Sequence, residues 1–170
     1  VPAGYAREHL TADLEALRGH LQQDRVWLMG HSGGGVDVIA YALQHPERVR
    51  GLVLLDTLPA DDPEHRDDMR ARVEARRNEP WYAEAVKGWE IQPRTTSEME
   101  QMLETVLPFY FVDQAKIEKN ITAFRSTTYS LPAWQRQEQR SPFNLVDRLP
   151  EIKAPTLIAV GAGDFICSLH

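Results

Sequence analysis

Val26-Trp27-Leu28-Met29-Gly30-His31-Ser32-Gly33-Gly34 is the stretch that decides how the rest of the chain is read. Its apolar start, Val26 to Met29, predicts a strand, and the pattern from Val36 to His45 predicts a helix. Between them lies G-x-S-x-G, a sharp turn with Ser32 at its apex. A serine on such a turn has a strained backbone and needs small neighbours. Gly30 and Gly34 are expected to supply the room, since neither carries a Cβ to strike the strand or helix beside it. The hydroxyl would then stand above the sheet edge where a base can reach it, with the Gly33 N–H pointing at a developing oxyanion. A glycine-rich turn that binds a phosphate, or merely turns, is the plain rival. The spacing is not the G-x-G-x-x-G of a dinucleotide loop, and no Lys-Ser/Thr pair follows the glycines as a Walker loop requires.

Upstream, Leu10, Leu14, Leu17 and Leu21 recur at helical spacing, so residues 5–23 read as an amphipathic helix covering a sheet. Arg7, Glu8, Asp13, Glu15 and Arg18 fall on its other sides. Downstream, Val36, Ile39, Ala40 and Leu43 share one face of the helix that His45-Pro46 ends, because proline disfavours helical geometry in the residue before it. Val49 to Leu55 is a near-continuous apolar run, the mark of a parallel strand buried on both faces. Together these segments predict a β-α-β unit.

Farther out the texture changes. Residues 61–78 are dense in mixed charge, which predicts a solvated helix. Trp81, Tyr82 and Trp89 fall in a second short helix. Ser97-Glu98-Met99-Glu100 is read as a capping box that starts a helix ending at Pro108, and Asp113 as the cap of another through Ile117, Ile121 and Phe124. Nine aromatics lie between Trp81 and Trp134, most of them needed to pack small helical layers and a few free to line an apolar pocket. Pro155 to Val160 returns as a third buried strand. The organisation expected is a core over residues 1–59, an inserted helical cap over 60–148, and a returning strand over 149–170. An insertion of roughly eighty to ninety residues between core strands exceeds any ordinary crossover and suits a lid over an active site.

Bulk properties narrow the classes. With 170 residues the chain is one domain by length, and 42% hydrophobic with 26% charged residues is ordinary for a globular protein. A net charge of −6 argues against a nucleic-acid partner, and no apolar run is long enough to span a membrane. The single cysteine, Cys167, excludes an intramolecular disulfide and a cysteine-based zinc site, and fits a reducing, cytoplasmic setting. Val1-Pro2-Ala3-Gly4 resembles neither an initiator segment nor a signal peptide, and the chain stops just after a strand. It therefore reads as an internal segment of a longer protein.

Three segments resemble the α/β-hydrolase superfamily: Val26 to Gly34, His45-Pro46-Glu47-Arg48-Val49, and Ala154-Pro155-Thr156-Leu157 through Gly161-Ala162-Gly163-Asp164. A helical cap between the strands is similar to the proline iminopeptidase-like branch. The resemblance implies a partial parallel-sheet α/β core with Ser32 as nucleophile, Gly33 N–H as one oxyanion donor and Asp164 as the triad acid. Asp164 also makes sense unaided, because a carboxylate beyond a strand's C-terminal end shares a sheet edge with the serine turn. An aspartate in a Gly-rich turn is the alternative. Asp56, at the end of the preceding strand, is a second acid candidate for which a turn or cap role fits better.

The base is the departure. In the superfamily a histidine follows the acid by some tens of residues, whereas His170 stands six residues past Asp164. His31 is expected to brace the turn; His45 ends a helix, and His9, His20 and His65 lie on polar stretches. The early strands and the loop that supplies the second oxyanion donor are also missing. The expectation is a serine hydrolase of small ester, amide or short peptide substrates, needing no metal or organic cofactor, and inactive as this segment alone. An aminopeptidase for N-terminal proline would bind the substrate amine through a cap carboxylate, with Glu79, Glu84, Glu90 and Glu104 available. A hydrolase-fold protein that binds a small apolar ligand or a partner without turnover is the rival from another class.

Overall fold

The computed structural model describes residues 6–138 and 143–168, so His170 and the first five residues lie outside the description. The chain divides into two compact units, residues 1–67 with 140–170, and residues 68–139.

The first unit opens with α1 (Arg7–His20), then β1 (Val26–His31), α2 (Gly33–Gln44) and β2 (Val49–Leu55), and closes with β3 (Thr156–Ala159). The strands form one parallel sheet in the order β1-β2-β3. In register, Met29 faces Val53, which faces Leu157; one step on, Gly30, Leu54 and Ile158 align. The core joins Val38, Ile39, Tyr41, Ala42 and Leu43 of α2 to Val49, Leu52 and Leu54 of β2, with Leu14 and Leu28 packed against it. α2 is buried nearly all round, as a helix pressed between α1 and the sheet must be.

Two expectations need correction here. β3 is not buried: all four of its residues are exposed, Leu157 at 60% and Ile158 at 69%. β2 is not buried on both faces either, for Arg50 is exposed and Val53 half-buried. The reason is one-sided cover. α2 lies on the face of Leu28, Leu52 and Leu54, while among the described residues the face of Trp27, Met29 and Leu157 stays open, and Ile158 is open because β3 is an edge strand.

In α1 the leucine stripe is only half inward, since Leu17 and Leu21 are more than half exposed and the fully buried residue is Thr11. A polar junction turned the helix. The Tyr41 hydroxyl donates to Glu15 Oε2 at 2.6 Å, and Arg18 donates to both oxygens of Glu15 at 2.9 and 2.6 Å. Arg18, and then Tyr41, hold the Glu15 carboxyl down at about 2. Burial, and then the bond to Glu15, push the Tyr41 phenol up to about 12.

The chain leaves and re-enters this unit through a short neck. Ala60 and Asn144 form an antiparallel bridge, Leu145 N–H donates to the Pro59 carbonyl at 2.9 Å, and Asp61 N–H donates to the Phe143 carbonyl at 3.0 Å. α3 (Pro63–Glu74) begins there, its His65 N–H capped by Asp62, and buries no residue, as its charge pattern predicts.

The second unit contains α4 (Tyr82–Glu90), α5 (Thr96–Val106), α6 (Ala115–Arg125) and α7 (Leu131–Glu138). Phe109 is its aromatic hub, 1% exposed, stacked on Trp89 at 4.3 Å and edge-on to Trp81 at 4.9 Å. Met99, Met102 and Leu131 make a second cluster. The capping box sits two residues earlier than read: Thr95 accepts from Glu98 N–H at 3.1 Å, and Glu98 accepts from Arg94 N–H at 2.7 Å. Both frames satisfy the pattern, and the earlier one adds half a turn. Asp113 does cap α6, accepting from Ala115 N–H at 3.1 Å. α7 was not expected, although Ser130 before Leu131-Pro132 is a helix-start signal. Among the described residues no helix is long and apolar enough to cross a membrane.

Candidate active site

Ser32 follows the last residue of β1 and precedes the first of α2, with φ 52° and ψ −128°. A left-handed backbone at a residue with a Cβ costs about 1–3 kcal/mol and persists only where its surroundings impose it. Here they do. Ser32 N–H donates to the Leu55 carbonyl at 3.0 Å, continuing the ladder to β2. Its carbonyl accepts from Gly35 N–H at 2.9 Å and from the Thr57 hydroxyl at 2.7 Å. The Ser32 hydroxyl makes no cap bond to α2, and the residue is exposed.

The glycines divide differently from expectation. A Cβ on Gly30 would stand 2.5 Å from Gly35 Cα and 2.6 Å from the Gly34 carbonyl, so Gly30 is required. A Cβ on Gly34 would meet nothing within 4 Å, so Gly34 is not the residue that makes room. Gly35 is: there a Cβ would fall 2.2 Å from the Thr57 hydroxyl. The next-door glycine carries the close approach because the helix meets the β2 exit one residue later. Gly33 is the first residue of α2, and a helix's first amides have no acceptor within the helix. With the dipole's positive end beside it, this N–H is suited to an anionic oxygen.

Asp164 follows β3 and leaves the same sheet edge as Ser32, with β2 between them, because the three strands run parallel with His31, Leu55 and Ala159 in register. Its Oδ1 accepts from the Ile166 and Cys167 N–H groups at 2.7 and 2.9 Å, and its own N–H donates to the Gly161 carbonyl. Beneath it the Cys167 thiol is buried, and burial, with Asp164 and then Asp56 nearby, pushes it up to about 12.

Asp56, not Asp164, approaches His31: its Oδ2 lies 3.8 Å from His31 Nε2. Asp56 Oδ1 accepts from Gly161 N–H at 2.9 Å, the turn role its position suggested, and its φ is 42°. Thr57, which nothing in the sequence singled out, bonds Ser32 from a distance of 25 residues. The remaining described histidines lie elsewhere, His45 against the Tyr41 ring, His9 and His20 exposed, and His65 at the start of α3. In the second unit Glu84 is paired with Lys87, and Glu104 with Arg125, which holds the Glu104 carboxyl below its usual range.

Comparison with known proteins agrees with this fold. The proline iminopeptidase of Lactobacillus helveticus (strain DPC 4571) is 26% identical over 179 residues, covering 96% of this chain and 58% of its own length. A solved alpha/beta fold family hydrolase from Bacillus anthracis str. Sterne superposes with a TM-score of 0.71 at 17% identity, covering 98% of this chain and 60% of that one. An esterase from Exiguobacterium antarcticum gives a TM-score of 0.65 at 19% identity, covering 98% and 59%. The chain thus spans about three fifths of the length of these relatives. The model of the alpha/beta hydrolase fold matches residues 2–170, from before α1 to beyond the Asp164 turn. With a parallel sheet, a strained serine between strand and helix, and a family match along its length, the chain belongs to the α/β-hydrolase fold family.

Proposed function

We propose that the protein is a serine hydrolase that cleaves an ester or amide bond through an acyl-enzyme, with Ser32 as nucleophile. The observation that carries this reading is the left-handed Ser32 backbone, which holds an exposed hydroxyl that no helix cap consumes. Ser32 Oγ attacks the carbonyl carbon as its proton passes to an imidazole, and the Gly33 N–H donates to the resulting oxyanion. The Asp164 oxygen left over from its own loop orients that imidazole, which comes from a histidine other than those described. The imidazolium then protonates the leaving group, and water hydrolyses the acyl-enzyme. The helical insertion over residues 60–148 is read as a cap.

Treating the full-length protein with a fluorophosphonate tests the reading. Labelling at Ser32 that Ser32→Ala abolishes supports it, and a folded protein that takes no label overturns it in favour of a non-catalytic binder. The iminopeptidase relatives favour an N-terminal proline substrate, and the esterase neighbour shares only the fold. Turnover of proline-naphthylamide above a short nitrophenyl ester identifies the aminopeptidase, and the reverse order an esterase.

A further inference from the structure

We infer that Asp56 and Thr57 are positioning residues that lock the serine turn and the Asp164 loop at a fixed separation. This rests on the acyl-transfer reading above, which needs both turns in register. β2 is the central strand, and its exit touches both neighbours. On one side the Leu55 carbonyl accepts from Ser32 N–H, and the Thr57 hydroxyl donates to the Ser32 carbonyl at 2.7 Å. The same Thr57 side chain fills the space that the missing Cβ of Gly35 leaves. On the other side Asp56 N–H donates to the Ala159 carbonyl, and Asp56 Oδ1 accepts from Gly161 N–H, both at 2.9 Å. The Gly161 carbonyl in turn accepts from Asp164 N–H at 2.9 Å. A continuous run of bonds therefore joins Ser32 to Asp164 through two adjacent residues.

The backbone supports the same conclusion. Asp56 holds φ 42°, a conformation that aspartate tolerates better than most residues but that still carries strain. With this backbone the carboxylate meets the Gly161 N–H across the sheet edge. The second carboxylate oxygen faces His31, the residue before Ser32, so even this side chain touches both turns.

The test uses the full-length protein and two readouts, the second-order rate of fluorophosphonate labelling at Ser32 and amide hydrogen exchange at Gly161. Asp56→Asn keeps the Oδ1 acceptor and the left-handed backbone; Asp56→Gly relieves the backbone and removes the acceptor. Asn is expected to label within about twofold of wild type, whereas Gly slows by about 10- to 100-fold, the scale of a sub-ångström to ångström misplacement. Gly161 exchange accelerates in Asp56→Gly and not in Asp56→Asn. Thr57→Val slows labelling by about tenfold while Thr57→Ser restores it. The inference is overturned if Asp56→Gly labels as fast as wild type. It is equally overturned if Asn is as slow as Gly, which would make the charge rather than the acceptor decisive. Should wild-type Ser32 take no label, the acyl-transfer reading fails by itself, and Gly161 exchange still decides whether Asp56 holds the loop.

Discussion

α2 and α5 both begin beside a hydroxyl residue, Ser32 in one and Thr95 in the other. Thr95 is extended, with φ −128° and ψ 159°, and its hydroxyl accepts from Glu98 N–H. Ser32 has φ 52° and ψ −128°, and its hydroxyl bonds nothing in its helix. In the first case the side chain satisfies amides that helix geometry orphans. In the second the neighbours hold the backbone so that the side chain is withheld from that task. The same residue type thus caps one helix and is held out of that task at the other, and the backbone angle decides which.

The contrast can be broken most sharply at Gly30. A Cβ there would lie against backbone atoms of Gly34 and Gly35, so Gly30→Ala is expected to cost about 3 kcal/mol or more, read as the midpoint of urea unfolding. An unchanged midpoint would mean the tight approach that imposes the Ser32 angle is not there. Next in size, Thr95→Ala should lose about 1 kcal/mol with labelling at Ser32 intact. Ser32→Ala should stay within about 0.5 kcal/mol of wild type while labelling vanishes. If the two stability losses were equal, the comparison between the helices would collapse.

Gly34→Ala sharpens it in the opposite direction. Nothing stands within 4 Å of the added methyl, and the position is helical, so stability should rise by up to about 1 kcal/mol. Smallest is a pH effect at the α1–α2 junction, which supports α2 from outside its serine end. Glu15 titrates at about 2 in the fold against an ordinary 4.5. Its depressed value favours the folded state wherever the carboxyl is ionised. That contribution is whole above pH 4.5 and is lost as pH falls toward 2, and Glu15→Gln should flatten this part of the melting-temperature profile.

Much of the fold was legible because its signals are local. The run Val49 to Leu55 is bounded by a proline-ended helix and an aspartate, and the observed strand has the same limits. The serine turn was legible from its glycine spacing together with the strand-like run before it and the helical pattern after it. What escaped was whatever depends on a partner distant in the chain. An apolar strand such as Thr156 to Ala159 does not say whether anything covers it, and here its side chains are open. Leu17 and Leu21 fit a helical stripe, but Tyr41, more than twenty residues later, rotated α1 toward Glu15 and Arg18. Of the two capping frames the earlier is the one used, with Glu98 bonded to both Thr95 and the Arg94 N–H. Gly35 and Thr57 matter through each other, across 22 positions, and no periodicity marks such a pair. At the candidate site, then, the serine turn was readable and its supports were not.

The neck at Ala60 and Asn144 has a consequence for how such a chain can change. The two hydrogen bonds of this bridge already bring the departing and returning segments side by side, so their closure does not rest on what lies between. Once ends are held together, doubling the intervening length adds only about 0.6 kcal/mol of entropy. Lengthening, shortening or wholesale exchange of that segment is therefore nearly free for the sheet. Variation there can accumulate while the sheet and its serine turn keep their geometry.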